Sequence, residues 1–133
     1  MYARTALESI RLFHDELTAL RRDLHAHPEL GFEEVRTSGI VAGALEALGI
    51  EVHRGIGKTG VVGVIRGKHC DSGRMIGLRA DMDALPMGED NTFSHKSSKS
   101  GLMHACGHDG HTTVLIGAAR YLSQSRNFDG TAV

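Results

Sequence analysis

Two short runs are apolar on both faces that an extended strand presents, and they constrain the fold more than any other feature. The runs are Val61–Ile65 and Met75–Leu78. Because successive side chains of a strand point to opposite sides, a run without polar alternation predicts a strand that is covered on both faces. Such strands need helices packed above and below them. We therefore predict an α/β layered domain in which Met75–Leu78 is an internal strand.

Helical periodicity precedes these runs. Apolar side chains recur at steps of three and four residues through Thr5–Ala26, which predicts one helix with a single buried stripe. The stripe consists of Ile10, Phe13, Leu17, Leu20 and Leu24. Pro28 and Gly31 follow, and we expect them to end this helix.

Two more helices and a short strand complete the expected elements. A helix is predicted over Glu33–Leu48, with Gly49 as its C-terminal glycine cap. Ile50–Val52 then indicates a short strand. The last helix is predicted from about Asp109 to Ser123, with Asp109 itself as N-cap.

The remaining stretches are polar or end abruptly. Arg54–Gly60 and Gly67–Arg74 are predicted connections, and Glu89–Gly101 is a polar loop without periodicity. Asp129–Val133 indicates a turn and the first residues of another strand. Because a domain rarely stops inside an incipient strand, we expect residues 1–133 to be the N-terminal part of a larger domain.

Composition excludes several classes of protein. The chain has 133 residues, 41% hydrophobic residues and a formal net charge of −1, which gives no reason to expect nucleic acid or an anionic membrane as a partner. No apolar run approaches the roughly 20 residues that span a bilayer, and Met1–Ile10 lacks the apolar core of a secretory signal. Cys70 and Cys106 could form a disulfide, but reduced thiols in a cytoplasm are the simpler interpretation.

The strongest chemical signal is the run Met103–His111, which holds one thiol, three imidazoles and a carboxylate. Cys106 and His108 lie two positions apart across a glycine, so in an extended or turn conformation both could face one crevice and bind metal. A helical pair of His104 and His108 is an alternative, but the glutamate expected after the first histidine is replaced by Ala105. A structural role for buried, hydrogen-bonded side chains is the other alternative.

A second run, Gly77–Pro86, places two acids after a predicted strand. Ligand sites of open α/β sheets lie beyond the carboxyl ends of strands, so Asp81 or Asp83 could face the same crevice as the histidines. The plain alternative is that the acids cap the following loop and that Arg79 pairs with one of them.

A third run, His25–Leu30, contains two histidines beside a proline. A protonated histidine is favoured at a helix C-terminus for electrostatic reasons. We therefore prefer a structural role for His25 and His27.

Taken together and in this order, these runs closely resemble one known family. The matching segments are Arg22–Glu34, Leu78–Pro86 and Met103–Thr112. They resemble the amidohydrolase branch of the dinuclear-metal peptidases, which includes hippurate hydrolase, aminoacylases and indole-3-acetyl-amino-acid hydrolases. The resemblance covers nearly the whole chain, and it implies part of a helix-flanked, mixed-sheet catalytic domain of the zinc-exopeptidase type.

The resemblance also implies roles for individual residues. Cys106 and His108 match family positions that bind metal, and Asp81 matches the acid that supports the metal centre. His25 and His27 receive no role. The complete site of the family holds two divalent ions (zinc, manganese, cobalt or nickel), and its remaining ligands and its base glutamate belong to stretches after the counterpart of Val133.

The implied activity is metal-assisted hydrolysis of the amide bond of N-acyl amino acids such as hippurate. The resemblance also implies a homo-oligomer, while the cysteines and the charge balance favour a cytoplasmic setting without nucleic acid or membrane partners. Because two ligands do not make a complete site, we expect this chain alone to be inactive. The competing hypotheses are a non-catalytic metal-binding or interaction module that uses the Cys106–His108 turn, and a structural domain whose histidines are incidental.

Overall fold

The structure, a computed structural model that describes residues 5–133, contains four helices and one mixed sheet, and the last two helices pack on the sheet while the first two pack on the last helix. The first four residues of Met1–Ile10, for which no secretory signal is predicted, lie outside the described residues. In chain order the elements are α1 (Ala6–Arg11), α2 (His14–Ala26), α3 (Val35–Ala47), β1 (Glu51–Ile56), β2 (Gly60–Arg66), β3 (Met75–Ile76), α4 (His108–Ser125) and β4 (Thr131–Ala132).

The sheet has the strand order β1-β2-β4-β3. β1 and β2 form an antiparallel hairpin, β4 pairs antiparallel with β2, and β3 pairs parallel with β4. The register places Ile65 opposite Ala132 and Met75 opposite Thr131. This arrangement confirms the predicted α/β class with a mixed sheet.

The predicted single helix over Thr5–Ala26 is wrong, because the chain turns at Leu12 and Phe13 and forms two helices. Phe13 leaves the helical region at φ −123° and ψ 21°, and it is buried while Leu12 is exposed. The guanidinium carbon of Arg120 lies 4.2 Å from the centre of the Phe13 ring. A periodic stripe does not exclude a turn, and here burying Phe13 against α4 decides where the turn falls.

The next elements agree more closely with the sequence. α3 begins two residues later than predicted and ends one residue earlier, and Gly49 follows it with φ +69°, as a C-terminal glycine cap requires. The strand predicted at Ile50–Val52 begins at Glu51 and continues to Ile56, because pairing with β2 extends it into the predicted connection. The loop over Glu89–Gly101 contains no helix or strand, as predicted.

The prediction of an internal strand over Met75–Leu78 is wrong for the described residues. Only Met75 and Ile76 are extended, they form the edge strand β3, and their exposures are 72% and 58%. An apolar run shows that its side chains suit burial, but neighbouring strands and layers decide whether burial occurs.

The hydrophobic core lies between α3, α4 and the sheet. Its buried members are Leu45, Ile50, Ile65, Ala119 and Ala132. Because these contacts fix α4 against β2 and β4, the first turn of α4 is held at a defined place beside the segment that follows β3.

The segment between α2 and α3 also helps to hold the segment that follows β3 in place. Glu29 is buried, and its carboxylate accepts hydrogen bonds from the backbone N–H groups of Arg36 and Thr37 at 2.9 and 2.7 Å and from the Thr37 hydroxyl at 2.7 Å. Its carbonyl oxygen accepts from the N–H of Ala84. Glu29 therefore joins the start of α3 to the segment that carries Asp81 and Asp83.

Among the helices of residues 5–133, none is long and apolar enough to cross a membrane.

Candidate metal centre

Three side chains meet where the segment after β3 passes the first turn of α4. Asp81, His108 and His111 each place one donor atom so that all three atoms lie within 4.8 Å of one another. Asp81 Oδ1 is 2.7 Å from His111 Nδ1, and Asp81 Oδ2 is 3.4 Å from His108 Nε2. The structure thus brings Asp81 and His108 together, as the sequence predicts.

The orientation of the His108 ring is set by Asp83. The Nδ1 atom of His108 lies 2.9 Å from both the carbonyl oxygen and Oδ1 of Asp83. These two acceptors place the ring proton on Nδ1, so the lone pair of His108 is on Nε2, which faces Asp81. A carboxylate that holds one histidine nitrogen while the other faces a metal is a recurring arrangement.

The charge of Asp81 is stabilised within the group. The hydrogen bond with His111 lowers the pKa of Asp81, and partial burial opposes this effect without cancelling it. Arg79 is mostly exposed and its guanidinium is 3.8 Å from Asp81, so it contributes only a loose ion pair. Asp81 is therefore anionic at neutral pH.

The start of α4 differs from the prediction. Gly107, in the left-handed region at φ +84°, is the N-cap, and Asp109 lies inside the first turn. Glycine adopts this conformation without the steric cost that other residues meet. The prediction of Asp109 as N-cap is therefore wrong, and its side chain is instead turned towards α2, where Oδ2 lies 2.9 Å from His25 Nδ1.

Cys106 stands apart from the three donors. Its thiol is free and exposed, and it lies outside the group whose donor atoms are within 4.8 Å of one another. Cys70 is also free, so no disulfide joins the two. The role of Cys106 as a ligand beside His108 stays a prediction.

His104 does not pair with His108 on a helix, because α4 begins only at His108. The His104 ring is buried, and neither of its nitrogens has a hydrogen-bond partner among the described residues. Burial lowers its pKa, so the ring is neutral at neutral pH.

The structural role preferred for His25 stays a prediction; its ring contacts two carboxylates on the segments that supply the candidate centre. Its Nδ1 lies 2.9 Å from Oδ2 of Asp109, and its Nε2 lies 2.9 Å from Oε1 of Glu89. His27 makes a local contact instead, with Nδ1 2.8 Å from the carbonyl oxygen of Asp23.

Three residues of this region were missed or left undecided by sequence reasoning. His111 carries a usable signal, because residues three apart on a helix share a face, and it follows His108 by three. Asp83 was one of two candidates, and the sequence offered no reason to prefer it as the partner of His108. Glu89 lies in an aperiodic loop and carries no signal at all.

The donor chemistry suits a divalent cation. A carboxylate held in its charged form and an imidazole with a free, oriented nitrogen are ligands for zinc, manganese and related ions. An α/β fold that gathers such donors at the start of a helix is an arrangement suited to a metal-dependent hydrolase.

Comparison with known proteins identifies the family. Residues 77–132 match the family described as Peptidase family M20/M25/M40. The hippurate hydrolase of Campylobacter jejuni is 54% identical over 115 residues, covering 86% of this chain and 29% of that protein. The N-acyl-L-amino acid amidohydrolase of Geobacillus stearothermophilus is 46% identical over 125 residues, covering 90% of this chain and 33% of that protein.

A solved structure is also similar to this chain. The YXEP protein of Bacillus subtilis, described as a dinuclear metal binding peptidase from the M20 family, superposes with a TM-score of 0.86 at 44% identity, over 92% of this chain and 34% of that chain. Residues 77–132 therefore match this peptidase family, and nearly the whole chain is similar to a solved member of it. The chain spans about 30% of the length of the curated relatives it matches.

Proposed function

We propose that the chain supplies part of the active site of a metal-dependent amidohydrolase that cleaves the amide bond of N-acyl amino acids, such as hippurate. The observation that carries the proposal is the group formed by Asp81, His108 and His111, in which one imidazole nitrogen of His108 is oriented and free. The hydrolase relatives, which are 46–54% identical to this chain, support the reaction class.

In this proposal His108 and Cys106 are metal ligands, and Asp81 supports the centre. A pair of divalent ions would supply Lewis acidity towards the amide carbonyl and would lower the pKa of a nucleophilic water. Asp83 keeps the proton of His108 on Nδ1, which leaves Nε2 as the ligand atom. His111, next to Asp81, holds that carboxylate in place and in its charged form.

We further propose that the 133-residue chain hydrolyses nothing alone. Proton transfer needs a base within hydrogen-bond reach of the attacking water. The carboxylates of two glutamates of the first motif are already engaged in hydrogen bonds within the fold. Glu29 accepts three hydrogen bonds at the start of α3, and Glu34 accepts one from Thr59 at 2.7 Å. The third, Glu33, is exposed, and it lies on the segment between α2 and α3.

Several finer points belong to the same proposal. The physiological metal would be zinc, manganese, cobalt or nickel. The working form would be a homo-oligomer in the cytoplasm. The residues 1–133 would form the N-terminal part of the metal-binding domain, and the substrate would be a small molecule, with neither nucleic acid nor a membrane as partner.

A chimera tests the proposal. This chain replaces the matching segment of the Campylobacter jejuni hippurate hydrolase, and release of glycine from hippurate is measured with added zinc, manganese or cobalt. Activity well above the metal-only blank is expected, as is its loss in the His108→Ala and Cys106→Ala forms of the chimera.

Two controls sharpen the result. The Cys70→Ala chimera should keep its activity, because Cys70 lies on the connection between β2 and β3, outside the group of Asp81, His108 and His111. A folded chimera that binds metal but does not hydrolyse hippurate would contradict the proposal and favour the non-catalytic metal-binding module. Hydrolysis by the 133-residue chain itself would show that the base has been misplaced.

A further inference from the structure

His25 lies between two buried carboxylates that come from different parts of the chain. Its Nδ1 is 2.9 Å from Asp109 Oδ2, and its Nε2 is 2.9 Å from Glu89 Oε1. The exposed fractions of the three side chains are 12% for His25, 1% for Asp109 and 2% for Glu89. The two contacts are therefore largely shielded from solvent.

The geometry defines the protonation of the ring. An ionised carboxylate only accepts hydrogen bonds, so both nitrogens of His25 must carry a proton to bond both carboxylates. Burial disfavours this charged form, but the hydrogen bonds and charges of Glu89 and Asp109 outweigh it and raise the pKa of His25. Burial acts to raise the pKa of Glu89, but hydrogen bonds from Asn91, His25 and the backbone N–H of Ser97 together lower it to about 2.

Each carboxylate belongs to a segment that supplies the candidate centre. Glu89 follows the segment with Asp81 and Asp83, and it also accepts hydrogen bonds from the side chain of Asn91 and the backbone N–H of Ser97. Asp109 directly follows His108 in the first turn of α4.

Other groups face this cluster and complete its surroundings. The guanidinium of Arg21 lies 3.5 Å from Asp109 Oδ2 on the solvent side. The rings of Phe93, His95 and His104 have their centres 5.6, 5.8 and 6.3 Å from that of His25. Among these groups, only the His25 ring bonds both segments.

We propose that His25 is a positioning residue: as an imidazolium it ties the Glu89 segment to the start of α4 and thereby holds Asp81 against His108 and His111. Its connection to metal binding rests on the proposed function, whereas its effect on the geometry of the three side chains does not. This gives the first motif, Arg22–Glu34, a role in the site although it contributes no donor.

The test compares three variants with the unsubstituted chain. His25→Gln keeps one donor but sets an amide oxygen against a carboxylate. His25→Gln with Glu89→Gln restores complementary hydrogen bonds and keeps the net charge of the cluster at −1, because one positive and one negative group are removed together. His27→Gln is the matched control, since His27 belongs to the same motif but contacts only Asp23.

Two readouts are taken below the unfolding temperature. The first is the set of ring and backbone NMR signals of His108 and His111 without metal. The second is the affinity for zinc and manganese by calorimetry. We expect His25→Gln to shift the signals and to weaken metal binding roughly tenfold, as loss of an outer partner commonly does. The double variant should recover most of the original NMR signals and most of the metal affinity. His27→Gln should change neither the signals nor the affinity.

Unchanged signals and affinity in folded His25→Gln would overturn the inference. If the unsubstituted chain binds neither metal, the NMR comparison alone decides the positioning role, and the chimera with the hippurate hydrolase decides the proposed function. If His25→Gln does not fold, the nitrogen signals of His25 in the unsubstituted chain decide: two protonated nitrogens at pH 7 support the inference, and a neutral ring overturns it.

Discussion

The Nδ1 atom of His108 lies 2.9 Å from Oδ1 of Asp83, and this contact leaves Nε2 of the same ring 3.4 Å from Asp81. Replacing Asp83 by alanine removes the carboxylate, one of the two acceptors that fix the tautomer and the direction of the ring, and leaves the backbone carbonyl oxygen as the other. We expect a 10- to 100-fold loss of zinc or manganese affinity, measured by calorimetry, with only a small change in the free energy of unfolding.

The control for this substitution is Asp90→Ala, because Asp90 is an exposed acid in the same stretch between β3 and α4. It should leave metal affinity within about twofold. Equal losses in the two variants would mean that nearby negative charge, rather than orientation of His108, determines binding.

Cys106 is an exposed, free thiol outside the three-donor group, and its role as a ligand can be tested directly. Cobalt bound by a thiolate gives an intense near-ultraviolet charge-transfer band that oxygen and nitrogen ligands do not give. We expect this band with the unsubstituted chain and with Cys70→Ser, and we expect its disappearance in Cys106→Ser. A band that survives in Cys106→Ser would exclude Cys106 as a ligand.

Glu29 should matter for stability rather than for metal binding. Its buried carboxylate accepts bonds from the N–H groups of Arg36 and Thr37, and the hydroxyl of Thr37 donates to it as well. Glu29→Gln keeps the shape but turns one acceptor into a donor, so we expect the free energy of unfolding in urea to fall by about 1–3 kcal/mol. Glu33→Gln, at an exposed neighbouring position, should change it by less than about 0.5 kcal/mol.

The cluster of His25 with Glu89 predicts a pH window of greatest stability. The raised pKa of His25 means that its contribution is complete below about pH 6.5, its ordinary value, and is lost as the pH rises through the folded value. The pKa of Glu89 is lowered from 4.5 to about 2, so its contribution is complete above pH 4.5 and is lost as the pH falls towards 2.

Urea unfolding midpoints measured from pH 3 to 9 should therefore be highest between about pH 4.5 and 6.5 as far as this cluster is concerned. The difference in unfolding midpoint between the unsubstituted chain and His25→Gln separates the contribution of His25 from that of the other histidines. That difference should shrink as the pH rises above 6.5. A difference that stays constant to pH 9 would show that His25 is neutral when folded.

Much of the fold could be predicted from local sequence patterns. Periodicity located α3 and α4 to within two residues, and a glycine at position 49 ended α3 as expected, because these features depend on residues close in sequence. The early turn at Phe13 and the exposure of Met75 and Ile76 were not predictable, since each depends on which distant elements are present to pack against.

The candidate centre, too, could be predicted only in part from the sequence. The sequence by itself determined the donor types and their order along the chain, Asp81 before His108, because carboxylate and imidazole chemistry is a property of the residues. Only the tertiary structure decided that Asp83 orients His108, that His111 joins Asp81, and that His25 bridges Glu89 and Asp109. These contacts join residues 25 to 84 positions apart, and such distances close only when the packing of α4 against α2 and the sheet brings the segments together.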